Sequence, residues 1–213
     1  MNPILATALG GAIGYLLGGI PFGLIVGRLA GVGDVRQYGS GKTGFTNSLR
    51  TMGVKWAIIV VLGDAVKGGL AVVLARLLFD EPGAAALAGA AAVFGHIFPV
   101  FAGFRGGRGV ATAFGAFLAV SPIVALIVLG ASLAILALFR YASLMSVTGV
   151  FVGFVVLGIM WAIDSIDGKY FLLFAIPTMF LVEVSHTGNI RRLLAGTEPK
   201  LGQGGGRRPA GTA

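Results

Sequence analysis

Residues 3–27 read PILATALGGAIGYLLGGIPFGLIVG, a run without a single charge. A helix of that length crosses the roughly 30 Å of bilayer hydrocarbon, and the core of a soluble domain has little use for one. Four more stretches, 56–79, 83–101, 141–163 and 170–185, are apolar over comparable lengths. Only 11% of the residues are charged while 56% are hydrophobic, and the mean hydropathy is +0.94. These values define an integral membrane protein. Met1-Asn2-Pro3 carries no basic segment and no small-residue cleavage site follows the first run. That run is therefore expected to remain as a span and not to be removed as a signal peptide. The absence of cysteine excludes disulfides, thiolate catalysis and Cys-ligated metals. Two histidines, His96 and His186, are too few for a His-rich metal site.

Charge decides how the chain crosses. Residues 110–139 are apolar except where Ser121-Pro122 interrupts them. Arg28, Arg36, Lys42, Arg50 and Lys55 mark residues 28–55 as a cytoplasmic loop. Counting onward, Asp80-Glu81-Pro82 falls outside, and Arg105 and Arg108 fall inside. If 110–139 were one span, Arg140 and the basic residues Arg191, Arg192, Lys200, Arg207 and Arg208 would lie outside. A turn at Ser121-Pro122 returns all of them to the inside and leaves Asp164 and Asp167 outside. The fold class is therefore an all-α polytopic integral membrane protein of seven segments, N-terminus out and C-terminus in. Segment 110–120 spans only about 16 Å at 1.5 Å per residue, so it is a half-helix beside other protein. Glycines at 10, 14, 18 and at 19, 23, 27 allow close helix approach, which packing alone explains. Residues 1–201 form one membrane domain, and the low-complexity tail 202–213 is expected to be disordered.

The net charge of +8 points to basic cytoplasmic loops, anionic lipids or anionic substrates before nucleic acid. Three polar stretches share the cytoplasmic face: GSGKTGFTNSLR (39–50), GHIFPVFAGFRGGRGVAT (95–112) and HTGNIRRLLAGTEPK (186–200). The first resembles the end of an ATP-binding P-loop, but the opening glycine of that pattern would fall on Arg36 and a membrane helix precedes the stretch. One basic loop usually only fixes orientation. Three that combine glycine with Ser, Thr, Asn and Arg suit an anion, because glycine frees backbone N–H groups and Arg pairs with phosphate through two donors.

In order and spacing, the three stretches resemble the signature motifs of the PlsY-type bacterial glycerol-3-phosphate acyltransferases. Those motifs run approximately S-G-N-x-G-A-T-N-x-x-R, G-H-x-F-P-V-F-x-x-F-K-G-G-K-G-V-A-T and H-x-x-N-I-x-R-L-x-x-G-x-E. This chain departs from them at Lys42, Phe45, Arg105 and Arg108. The resemblance implies transfer of an acyl group from acyl phosphate to the sn-1 hydroxyl of glycerol 3-phosphate. The products would be lysophosphatidic acid and phosphate, formed with no cofactor, metal, ATP or nucleic acid. It also implies a multi-pass protein of the bacterial plasma membrane, with the site on the cytoplasmic side.

By the same resemblance Ser40, Arg50, His186 and Asn189 are catalytic. Gly41, Thr46, Asn47, His96, Arg105, Gly106, Gly107, Arg108, Gly109 and Glu198 bind substrate or phosphate, with the turn 106–109 and its two arginines as a second cradle. A mixed anhydride has a good leaving group, so direct attack by the glycerol hydroxyl suffices. The proton acceptor is either His186, with Glu183 one turn before it to orient the ring, or the substrate's own phosphate, whose second pKa is near neutrality. His96 is also readable as a buried hydrogen-bond partner. Asp64 and Lys67, three apart inside the second span, read as an ion pair supporting the site, with a substrate contact from Lys67 as the alternative. A transporter of a phosphorylated metabolite is the rival class. It would place its site at the midplane within internal repeats, which this chain lacks.

Overall fold

The structure, a computed structural model, describes residues 1–203. The expected tail at 202–213 therefore falls almost entirely outside the described residues. Helix α1 (Pro3–Gly18) begins where the Asn2 side chain accepts the Ile4 N–H at 2.8 Å and Pro3 fills the first turn. Helix α2 (Phe22–Leu29) follows after a break. A short helix α3 (Phe45–Met52) lies in the loop before α4 (Val54–Phe79) and α5 (Pro82–Ile97). Then come α6 (Val110–Val120), α7 (Pro122–Phe139) and α8 (Ala142–Ala162). The last span joins α9 (Gly168–Tyr170), a π-helical turn over Phe171–Ala175, and α10 (Ile176–Ser185). Helix α11 (Thr187–Leu194) follows at its end.

Six stretches are long and apolar enough to cross a membrane, and Val110–Val120 is the shorter seventh. The chain turns where the sequence suggests. Ser121 is extended (φ −154°) and Pro122 opens α7, because proline cannot continue α6 but suits a first helical position. The π-helical turn stands just before Pro177, whose missing N–H leaves the preceding carbonyls without their usual partner.

The first span differs from the expected unbroken run. It breaks at Gly19-Ile20-Pro21, since Pro21 cannot donate to the preceding turn. The Lys67 ammonium reaches in from α4 and donates at 2.8 Å to the Ile20 carbonyl, which also accepts the Phe22 N–H at 3.1 Å. Lys67 Nζ also lies 2.8 Å from Asp64 Oδ1, and His96 Nδ1 lies 3.3 Å from the same oxygen. The expected ion pair thus forms, fully buried, and ties the break in span one to α4 and α5. Broken spans are tolerated in membranes when neighbouring groups satisfy the freed backbone.

Helices α1 and α5 pack backbone to backbone. A Cβ added at Gly10, Gly14 or Gly18 would sit 2.5, 2.2 or 2.1 Å from the carbonyl oxygens of Ala84, Ala88 and Ala92. Helix α6 meets α4 in the same way, through Gly68 against Thr112 and Gly115 against Ala65. Small-residue seams of this kind maximise van der Waals contact where lipid removes the hydrophobic drive for helices to associate. The main core lies where α5, α6, α7, α8 and the last span converge, with Phe117 edge-on to Phe174 at 4.9 Å.

Candidate active site

The first polar loop is built around Asn47, at the start of α3. Its Oδ1 accepts the Ser40 N–H at 2.9 Å, and its Nδ2 donates to the Val35 and Lys42 carbonyls, each at 2.9 Å. The Gly41 N–H is bonded to the Tyr38 carbonyl at 2.9 Å. Gly41 has φ +69°, the left-handed conformation that glycine adopts without strain. The Ser40 and Gly41 N–H groups are thus held inside the loop, while Ser40, Thr46 and the uncapped start of α3 face the cavity. The loop follows α2 and a 3-10 turn over Val35–Gln37, not the buried strand that a P-loop requires. Arg36, at the position of the missing P-loop glycine, pairs with Asp34 at 2.8 Å. It also donates to the Ala102 and Arg105 carbonyls at 2.8 and 3.1 Å, so it joins the first loop to the second.

Only part of the expected second cradle faces the site: Arg108 and Gly109 line a cavity, while Gly106 and Gly107 are turned away. The Gly106 and Gly107 N–H groups are bonded to the Ile97 and His96 carbonyls, both at 3.1 Å. A Cβ on Gly106 would meet the His96 carbonyl at 2.0 Å, and one on Gly107 would meet His96 Nε2 at 2.1 Å. These glycines let the loop lie flat on the end of α5. The Arg105 side chain is exposed and lines neither of the two cavities described below. Arg108 is turned inward, and the Ser185 hydroxyl donates to its carbonyl at 3.2 Å.

From the last span, His186, Asn189 and Arg192 succeed one another at helical spacing. His186 is 1% exposed, and its Nδ1 lies 2.8 Å from the Val182 carbonyl. Only the tautomer protonated at Nδ1 suits that contact, which leaves Nε2 as an acceptor. The orienting group is therefore the Val182 carbonyl and not Glu183. Glu198 returns beneath the helix as a hub. Its Oε1 accepts from Ser143 Oγ at 2.7 Å and Asn189 Nδ2 at 2.6 Å, and its Oε2 accepts from Arg192 Nε at 2.8 Å. Burial opposes the charge on Glu198, but the bonds from Ser143, Asn189 and Arg192 prevail and hold its carboxyl below the ordinary value.

Two adjoining cavities meet at Ser40, Thr46, Arg108, Ala142 and Ser146. The polar one, about 420 Å³, is walled by Arg50, Arg108, Arg192, Asn189, Ser143 and Glu198. Three guanidiniums against one carboxylate leave a surplus of two positive charges. The Nε atoms of Arg50 and Arg108 are buried with no hydrogen-bond partner among the described residues. Burial and the nearby Arg192 and Arg50 push Arg108 down to about 10, against the pull of Glu198. Arg50 is lowered mainly by its own burial. The second cavity, about 460 Å³, is apolar and runs between α6, α7 and α8 past Phe114, Phe117, Val128, Leu133, Met145 and Val150. Asp64, His96 and His186 line its polar end. Burial, then the Arg108 charge, drives His186 down to about 4, so it is neutral at ordinary pH.

A surplus of positive charge opening into an apolar groove fits an amphiphilic phosphate substrate, and comparison with known proteins agrees. Residues 8–196 match the family model described as glycerol-3-phosphate acyltransferase. This chain belongs to that family, in its PlsY-type branch. A glycerol-3-phosphate acyltransferase of Sinorhizobium medicae is 46% identical over 192 residues, covering 90% of this chain and 91% of the relative. Glycerol-3-phosphate acyltransferase 3 of Dehalococcoides mccartyi is 43% identical over 208 residues, covering 90% and 94%. The crystal structure of PlsY, an integral membrane glycerol 3-phosphate acyltransferase, in its glycerol 3-phosphate form superposes with a TM-score of 0.82. The two share 37% identity over 91% of this chain and 94% of that one.

In the acyltransferase, Ser40, Thr46, Asn47, Arg50, Asp64, His96, Arg108, Gly109, His186, Asn189 and Glu198 all border the paired cavities. Gly41, Lys67, Arg105, Gly106 and Gly107 do not, and all but Arg105 act from behind through loop shape and packing. Lys67 in particular is held by Asp64 and Ile20, away from either cavity. Arg192, Ser143 and Ser146 were not assigned to the site from the sequence, although Arg192 stands at the arginine of the third motif. The spacing of His186, Asn189 and Arg192 by threes was a second signal for it. Ser143 and Ser146 begin an otherwise apolar span and gave none.

Proposed function

We propose that the enzyme transfers an acyl group from acyl phosphate to the sn-1 hydroxyl of glycerol 3-phosphate, giving lysophosphatidic acid and inorganic phosphate. The observation that carries this reading is the junction of the two cavities at Ser40 and Arg108. The surplus of two positive charges matches a phosphate monoester, so Arg50, Arg108 and Arg192 hold glycerol 3-phosphate in the polar cavity. The acyl chain lies in the apolar groove, with its phosphate at the junction against Ser40, Thr46 and Arg108. Leu133 both lines this groove and is exposed on the lipid-facing side of α7, which suits a donor arriving from the bilayer.

The glycerol hydroxyl attacks the acyl carbonyl carbon. The ester bond forms, the bond between that carbon and the phosphate oxygen breaks, and phosphate leaves. With a value of about 4, His186 is a weak base at neutral pH. Its Nε2 orients the hydroxyl, and the proton passes to phosphate, whose second pKa near 6 is better matched. The three guanidiniums hold two anions together and neutralise charge on the leaving oxygen, supplying orientation and electrostatic stabilisation. The basic residues before α3 and after α10 support a site on the cytoplasmic side of the bacterial plasma membrane.

Detergent-purified enzyme given acyl phosphate and glycerol 3-phosphate should release phosphate only when both are present, with lysophosphatidic acid formed in equal amount. Acyl-CoA should not replace acyl phosphate. Comparable turnover with acyl-CoA would refute the donor assignment, and the absence of any transfer would refute the reaction.

A further inference from the structure

The family match ends at residue 196, and the next few residues fold back over the site. The Leu201 N–H donates to the Arg140 carbonyl at 2.8 Å, in the turn between α7 and α8. Arg140 has φ +63°, and this left-handed residue stands directly after the last turn of α7. Lys200 Nζ sits 5.7 Å from the centre of the Tyr141 ring, and the Gln203 side chain accepts the Lys200 N–H at 3.0 Å. On its other side the strap is held by Glu198, through the bonds to Ser143, Asn189 and Arg192. Pro199 borders the polar cavity, while Leu201 lines the apolar groove together with Leu136 and Met145.

We propose that Leu201 is a binding residue for the acyl donor. Its side chain forms the wall of the groove beside the phosphate junction, where it covers the first methylenes of the chain and keeps water from them. The strap supplies the backbone anchor, and leucine supplies apolar surface that the α7–α8 turn alone does not. This assignment rests on reading the apolar cavity as the acyl groove.

Full-length Leu201→Ser, measured with each substrate varied in turn, tests it. Losing most of one leucine's buried contact should raise KM for acyl phosphate about tenfold. KM for glycerol 3-phosphate and the melting temperature should stay unchanged, and Leu201→Ile should restore most of the donor affinity. Tyr141→Leu, which frees the strap but keeps the leucine, should shift the same KM in the same direction by less. An unchanged donor KM, or an equal rise in both constants, in an enzyme whose wild type turns over normally would overturn the role of Leu201 alone. A wild type with no turnover of acyl phosphate would overturn both this assignment and the reaction beneath it.

Discussion

Single residues carry the chemistry, and His186 shows how burial selects its role. Its folded-state value of about 4 lies below the ordinary 6.5. An unfolded chain therefore takes up a proton between these values while the folded one does not. By linkage, stability falls as pH drops through 6.5 and the loss is complete below about 4, amounting to about 3 kcal/mol. His186→Gln has no such proton to take up on unfolding, so its melting temperature should fall less than that of the wild type between pH 7 and pH 4.5. Equal acid sensitivity in the two proteins would contradict a buried neutral ring. At the same scale, the acid limb of kcat/KM should sit near 6, the value expected of a phosphate. It should keep that position in the residual activity of His186→Gln, since the limb belongs to substrate.

At the level of elements, the seam between α1 and α5 leaves no room for a side chain. A Cβ at Gly14 would lie 2.2 Å from the Ala88 carbonyl oxygen, and neither backbone can yield without separating the helices. Gly14→Val should destabilise the detergent-solubilised protein by about 3 kcal/mol, read as a lower melting temperature. Gly130→Ala in α7 is the control. Nothing lies within 4 Å of a Cβ there, so the exchange should be neutral or slightly stabilising. The spacing of glycines by fours was legible in the sequence, but the partner was not. Nothing in residues 3–27 says that Ala84, Ala88 and Ala92 lie opposite.

The whole molecule is organised by its orientation, which the distribution of basic residues predicts. Ser165 and Thr197 are both exposed and should lie on opposite faces, and the chain has no cysteine of its own. A cysteine at Ser165 should react with a membrane-impermeant reagent on intact cells, and one at Thr197 should react only after lysis. The reverse pattern would place the site on the outer face and remove the cytosolic supply of glycerol 3-phosphate from the proposal.

The sequence by itself determined the all-helical membrane class, the seven segments, the turn at Ser121-Pro122 and the pairing of Asp64 with Lys67. Each follows from local physics: hydropathy over one span, a proline that cannot continue a helix, or two charges three residues apart that neither lipid nor protein tolerates alone. Only the tertiary structure decided that Lys67 arrives from another helix to bond the Ile20 carbonyl at the Pro21 break. It also decided that Arg108 and not Arg105 faces the site, and that Gly106 and Gly107 serve packing against His96. The hub at Glu198 joins Ser143, Asn189 and Arg192 across as many as 55 residues of sequence. Such contacts are set by which elements meet in space, and no spacing along the chain encodes that.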